Sequence, residues 1–285
     1  MKNYQELLQI KFLWIVLILV LAGILISARV SSSLEQARTA ASSLGGQYSV
    51  MEIPVSELMP NFGDLPDFSL YSNVDRLKGA FFSYIRPMVE YNNQIILRQR
   101  RALISIQEKF SDWESLASVE KEFILALAVE YKLGWEQKGA AETLNGLIRR
   151  VDQIPPALAL VQAAKESGWG RSRFAIEANN LFGQWCYSMG CGLIPARRQE
   201  GATNEVQKFG SVAAAIYSYM NNLNTHSSYE ELRSIRAEQQ KNDGPVTAEA
   251  LAEGLIYYSQ RREAYVEEIR TMLIQYRNFS EVNGV

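Results

Sequence analysis

Apolar residues follow three patterns along this chain. From Phe12 to Ala28 they run without a polar break except Ser27. Across residues 29–73 the pattern is interrupted by Ser31-Ser32-Ser33, Ser42-Ser43, Gly45-Gly46 and the prolines at 54, 60 and 66, which keep regular structure short. From Val74 a helical period begins, with Leu77, Phe81, Tyr84, Ile85 and Met88 at three- and four-residue spacing. Pro87 predicts a kink or split there. A second helical stretch is expected through Ile95, Ile96, Leu103, Ile104 and Ile106, carrying a solvated basic face of Arg98, Arg100 and Arg101. Ser118 reads as a helix cap, with a stop at about Gly134, and another helix is expected from Ala140 to Arg150. Pro155-Pro156 opens a helix from Ala157 to Glu166 that is apolar almost all round, so it should be buried on most faces; Ser167-Gly168 ends it. Between Pro195 and Ser211 two alternating runs flank Gly201-Ala202-Thr203-Asn204 and predict a β-hairpin. Helices are expected again over 212–223, 229–237, 247–258 and 262–276.

The continuous run at 12–28 is a membrane anchor or an export signal; its length favours the anchor, and Lys2 and Lys11 precede it. The short tail before it predicts a cytoplasmic N-terminus, with the rest of the chain periplasmic at the inner membrane. Four segments follow: tail and anchor 1–28, flexible tether 29–73, helical extension 74–135 and a main domain 136–285. The formal net charge is -2, which offers no broad basic field for nucleic acid. The single histidine, His226, sits in a polar stretch, and with only Cys186 and Cys191 it does not complete a tetrahedral zinc site. Outside the cytoplasm those two cysteines can pair across a small loop; otherwise they pack as reduced residues. No phosphate-binding glycine loop, dinucleotide fingerprint, HExxH or GxSxG motif is present, and no cofactor or metal is expected.

Glu166 is the residue with most chemical potential. It ends a dry helix, where both burial and the negative helix terminus disfavour the carboxylate. A carboxyl kept protonated near neutral pH suits a glycosidic leaving oxygen. Trp169 is placed to add an apolar wall or a sugar platform. The competing reading is a structural glutamate paired with Lys165 or Arg171.

Ala163-Ala164-Lys165-Glu166-Ser167-Gly168-Trp169-Gly170, followed by Asn179-Asn180-Leu181-Phe182-Gly183 and Gln184-Trp185-Cys186, resembles the bacterial glucosaminidase family of peptidoglycan hydrolases, glycoside hydrolase family 73, and within it the Bax-type branch. The resemblance covers about Asp152 to Gln275. It implies a mainly α, lysozyme-like α+β domain with a small β-hairpin lobe. It implies Glu166 as general acid, with Trp169, Asn180, Phe182, Gly183 and Trp185 lining the substrate groove. A second carboxylate belongs on the lobe: Glu200, just before the hairpin turn, is the first choice and Glu205 the alternative. The segment Tyr257-Tyr258-Ser259 to Tyr265-Val266 resembles the family's C-terminal tyrosine motif, with Tyr258 reaching the active site and Tyr265 packing. Arg262 stands where the Bax-type pattern has glycine. The expected partner is a peptidoglycan glycan strand, cut at the β-1,4 bond. The alternatives are a weakly catalytic glycan-binding anchor and a lytic transglycosylase on the same fold.

Overall fold

The molecule is described by a computed structural model that covers residues 60–283, apart from 197, 199 and 200. The expected membrane segment 1–28, most of the expected tether and Glu200 lie outside the described residues. Among the described residues no helix is long and apolar enough to cross a membrane.

Residues 60–73 were expected to be tether, but they are folded. Asp67 caps a 3₁₀ turn, Phe68–Leu70, by accepting from the Ser69 N–H at 2.9 Å. Phe68 is 1% exposed, with ring contacts to Phe81 and Tyr84. One well-placed aromatic fixes a segment whose composition reads as loop.

Helix α1 (Val74–Lys109) follows, started by Asn73, whose side chain accepts from the Arg76 N–H at 2.9 Å. Pro87 neither splits nor ends it; the two expected helices are one element of 36 residues. Pro87 lies on the exposed side, where water can satisfy the carbonyl left without its helical partner, while Ile85, Met88 and Val89 beside it are buried. Core packing on one face outweighs the local penalty on the other.

Helix α2 (Ser118–Glu130) is capped one residue earlier than expected. Ala117 is the cap, and the Glu120 carboxylate accepts its N–H at 3.0 Å. The left-handed stop falls at Lys132, φ 54°, and Gly134 instead opens α3 (Trp135–Arg150). Gly139, φ 73°, breaks the first turn of α3, and Thr143 donates back to its carbonyl at 2.8 Å. Then come α4 (Pro156–Ser167), α5 (Arg173–Ala178), strands β1 (Trp185–Cys186), β2 (Gly192–Leu193) and β3 (Glu205–Gln207), and helices α6 (Val212–Thr225), α7 (Glu230–Lys241), α8 (Ala248–Glu253) and α9 (Glu263–Asn283).

Helix α4 is the hub. It packs against α1, α8 and α9, and every residue from Leu158 to Ala164 is buried. Burying Leu158, Leu160 and Val161 contributes roughly 1.5–3 kcal/mol apiece before entropy is counted. The chain is mainly helical with one three-stranded antiparallel sheet, which fits the α+β expectation.

The expected hairpin needs correction. β3 forms, but its partners are β1 and β2, in the order β1-β3-β2, with Trp185 and Leu193 both opposite Val206. Two local devices make this register. A disulfide joins Cys186 to Cys191 and brings the two outer strands round β3. Gly192 lets the β3 backbone approach; a Cβ there would stand 1.9 Å from the Val206 carbonyl oxygen.

Candidate functional site

The Glu-Ser-Gly-Trp-Gly sequence is a helix stop whose parts have separate jobs. Gly168, Trp169 and Gly170 all adopt left-handed backbone, with φ of 58°, 62° and 74°. Two of the three are glycine, which takes this conformation at no steric cost. Gly170 is also pressed by the Phe68 ring, 2.5 Å from where a Cβ would lie. The Ser167 hydroxyl donates to the Ala163 carbonyl at 2.6 Å and accepts the Gly170 N–H at 2.7 Å. The chain therefore reverses immediately after Glu166 and holds its carboxyl at the helix end. The Trp169 ring meets Phe81 and Phe82 edge-on, so it ties this turn to α1.

Glu166 is half-buried, neither sealed nor in open solvent. Burial pushes its carboxyl above the usual range; the Tyr265 hydrogen bond and the charge of Lys165 oppose this, and Glu268 adds to it. The structural alternative has lost its partners: Lys165 pairs with Glu268 at 2.5 Å, and the Arg171 Nε donates to the Gly168 carbonyl at 3.2 Å. Arg261 also holds Glu268, at 2.7 Å, so that acid is occupied.

The roles expected of the two C-terminal tyrosines are exchanged. Tyr265, on α9, donates to Glu166 Oε1 at 2.8 Å. Tyr258 donates to the Phe182 carbonyl at 3.0 Å and stacks on Tyr265, ring centroids 5.3 Å apart. Arg262 takes the left-handed conformation, φ 51°, that the family's glycine would supply, and its guanidinium lies 4.4 Å from the Tyr257 ring centroid. Tyr265 then enters α9 with its hydroxyl on the Glu166 carboxyl.

Behind Tyr265 lies a relay that sequence reading missed. The Tyr219 hydroxyl donates to Gln162 Oε1, and Gln162 Nε2 donates to the Tyr265 oxygen at 2.9 Å. The Tyr265 proton is thereby directed to Glu166 Oε1, which leaves Oε2 without a hydrogen-bond partner among the described residues. Gln162 had a signal: it is the only polar residue between Ala157 and Ala164, one turn before Glu166 on the same helix face. Tyr229 is also close; burial and the Glu166 charge push its phenol up to about 12. Its ring lies 6.1 Å from that of Tyr258.

The Asn-Asn-Leu-Phe-Gly turn supports this cluster. Asn180, expected to line the groove, is buried and fully engaged: its amide donates to the Gln184 and Gln207 carbonyls, both at 2.9 Å, and its oxygen accepts from Phe182 and Gln184. It fastens the turn to β3 and has no capacity left for a sugar. Phe182 is likewise buried, stacked on Tyr219 at 3.9 Å. Gly183, φ 66°, and Trp185, 48% exposed, are the members of this stretch that face outward.

Glu205 does not stand free as a base. It is buried, and its two oxygens accept the Gly190 N–H at 3.0 Å and the Gly192 N–H at 2.8 Å. These bonds hold its carboxyl below the ordinary range. Its task is to order the disulfide loop. Cys186, Cys191 and Glu205 lie together, yet the sulfurs are bonded to one another and offer no thiolate to a metal. The His226 ring is occupied locally, Nδ1 accepting the Ser228 N–H at 3.2 Å.

A buried apolar helix therefore presents one carboxyl, raised by burial, to a cluster of tyrosines. Comparison with known proteins gives the chain a family of glycosidase type. Residues 142–278 match the glucosaminidase family model, described as mannosyl-glycoprotein endo-beta-N-acetylglucosaminidase. The chain is 34% identical over 201 residues to protein bax of Escherichia coli (strain K12), covering 70% of each chain. It belongs to the glucosaminidase family, as a Bax-type member. No solved structure matches.

Proposed function

We propose that the chain is a peptidoglycan hydrolase, an endo-β-N-acetylglucosaminidase that cuts the β-1,4 bond on the reducing side of N-acetylglucosamine. The observation that carries this is the Glu166 carboxyl, raised by burial and with only Oε1 engaged by Tyr265. Glu166 gives its Oε2 proton to the departing glycosidic oxygen as the bond to the anomeric carbon breaks; water adds to that carbon and releases one proton, which restores the Glu166 acid through solvent. Digestion of purified sacculi by the full-length chain, followed by mass spectrometry, tests the reaction. Reducing N-acetylglucosamine ends are expected; anhydro-muramyl ends would replace this reading with a lytic transglycosylase. Glycan capture without any new ends would replace it with a binding anchor. The transglycosylase draws support from one observation: Glu205 is committed to its loop, so among the lobe carboxylates only Glu200 is left to activate water.

Tyr265→Phe gives a pH test. Glu166 must be protonated to act, so activity falls as pH rises through its pKa. Tyr265 donates to the ionised form and pulls that pKa down. Removing the hydroxyl should therefore move the alkaline limb of kcat/KM to higher pH. A limb that stays in place, or moves down, means Tyr265 does not tune the acid.

The reading extends to location: residues 1–28 hold the chain in the inner membrane, with the catalytic domain periplasmic. The apolar run and the Cys186–Cys191 disulfide support this, because disulfides persist in oxidising compartments. Trypsin added to intact spheroplasts should degrade the domain. Protection until the membrane is breached overturns the placement.

A further inference from the structure

At the other end of α4 lies a second feature, built from different residues. Ten residues separate Pro156 from Glu166, about 15 Å of helix. There, Arg100 of α1, Arg149 of α3 and Arg233, Arg236 and Lys241 of α7 line a cavity of about 380 Å³, with Asp152 the one acid in its wall. Five cations against one carboxylate is an imbalance that a solvated surface readily accepts and a half-enclosed space does not.

The donors divide into two sets. Arg236 is spent inward, on the carbonyls of Arg149, Arg150, Asp152 and Gln153 and on Asn224 Oδ1. Arg100 also turns inward from the basic stripe read in the sequence, donating to the carbonyls of Ile148 and Val151 and pairing with Asp152 at 3.3 Å. Arg98 and Arg101, its neighbours in that stripe, stay exposed. The other set is only partly committed. Arg233 is 4% exposed, and only its Nη1 has acceptors among the described residues, the Leu223 and His226 carbonyls at 3.0 and 2.9 Å. Its Nε and Nη2 have none among the described residues, yet they are not sealed, since the residue lines the cavity. Arg149 uses a single N–H, on Ser234 Oγ at 2.6 Å, and Lys241 at the rim has no ion pair among the described residues. Burial lowers Arg233 to about 10, and the neighbouring charges of Arg150 and Arg149 push the same way while Glu230 opposes them.

We propose that this cavity is a binding site for a small oxyanion carrying two or more negative charges, a phosphate or a dicarboxylate, held by Arg149, Arg233 and Lys241. Guanidinium forks pair two N–H groups with two oxygens of either group, and a third cation at the rim completes the neutralisation. The site is separate from Glu166 and does not depend on the proposed reaction.

The test uses the full-length chain at constant ionic strength, with chloride as reference. It is titrated with inorganic phosphate and, separately, with malonate, by calorimetry and by melting temperature. Saturable binding of at least one is expected, and which one binds distinguishes a phosphate-bearing from a carboxylate-bearing ligand. Arg149→Ala combined with Lys241→Ala removes two of the three cations and should weaken binding by about tenfold or more, tenfold being the least that even one charge-assisted hydrogen bond is worth, with release of muropeptides unchanged. Both side chains are exposed, so this variant spares the carbonyl contacts of Arg233 that the fold needs. Absence of saturable binding by either anion overturns the proposal. So does equal affinity in the double variant, which would put the anion elsewhere.

Discussion

Glu166→Gln is expected to lower muropeptide release from sacculi by about 10²–10⁴-fold, the range that a positioned general acid contributes. Glutamine has the same shape and keeps an oxygen to accept from Tyr265, so the relay through Gln162 and Tyr219 stays closed. What it lacks is a proton that can leave with the glycosidic oxygen. The fold should be indifferent, because Glu166 forms no ion pair among the described residues and the turn beyond it is held by Ser167, Gly168 and Gly170. The variant should therefore melt as the parent does and still bind glycan. Glu166→Asp withdraws the acid by one methylene and should fall between the two. Release by Glu166→Gln at the parental rate would remove the acid from the mechanism, whatever the products are.

The parts of this site that could be read in advance are those set by local backbone demands. Gly168 and Gly170 mark left-handed positions, and a helix apolar all round has to be a hub. The parts that could not be read depend on how separate elements meet. Tyr258 and Tyr265 are chemically identical, and only the packing of α9 on α4 decides which hydroxyl reaches the carboxyl. Asn180 carries a polar side chain suited to a sugar, but four backbone partners that exist only in the folded turn consume it. The strands of the lobe are two or three residues long, too short for alternation to reveal, so a disulfide and Gly192 decide the pairing. The split expected at Pro87 does not occur for the opposite reason: the buried face of α1 carries one helix through it.

The same limit hides the residue whose loss should cost the fold most. Arg236 lies in a polar stretch of α7 and looks like one more surface cation, yet it is 1% exposed. Burial lowers its pKa to about 10, so it remains charged at neutral pH. Its guanidinium gathers the carbonyls at the end of α3 and the entry to α4, takes Asn224 Oδ1 at 2.7 Å, and stands 3.7 Å from the Asp152 carboxylate. Arg236→Ala should destabilise the domain by about 3–5 kcal/mol, the cost of breaking a buried pair from one side. The loss has two components. Among the described residues Asp152 keeps only Arg100 as a cationic partner, and the backbone carbonyls and Asn224 Oδ1 lose their donor. Arg236→Lys separates them, because it restores the charge but offers no planar fork to span α3 and α4. It should recover part of the loss and not the whole. Urea unfolding gives the answer through the midpoint at unchanged slope. A shift worth under about 1 kcal/mol would make Arg236 an ordinary surface residue. If the knot is structural and distinct from the acid site, the folded fraction of Arg236→Ala should release muropeptides at the parental rate per molecule; a matching fall in turnover would mean that strain at the start of α4 reaches Glu166 at its end.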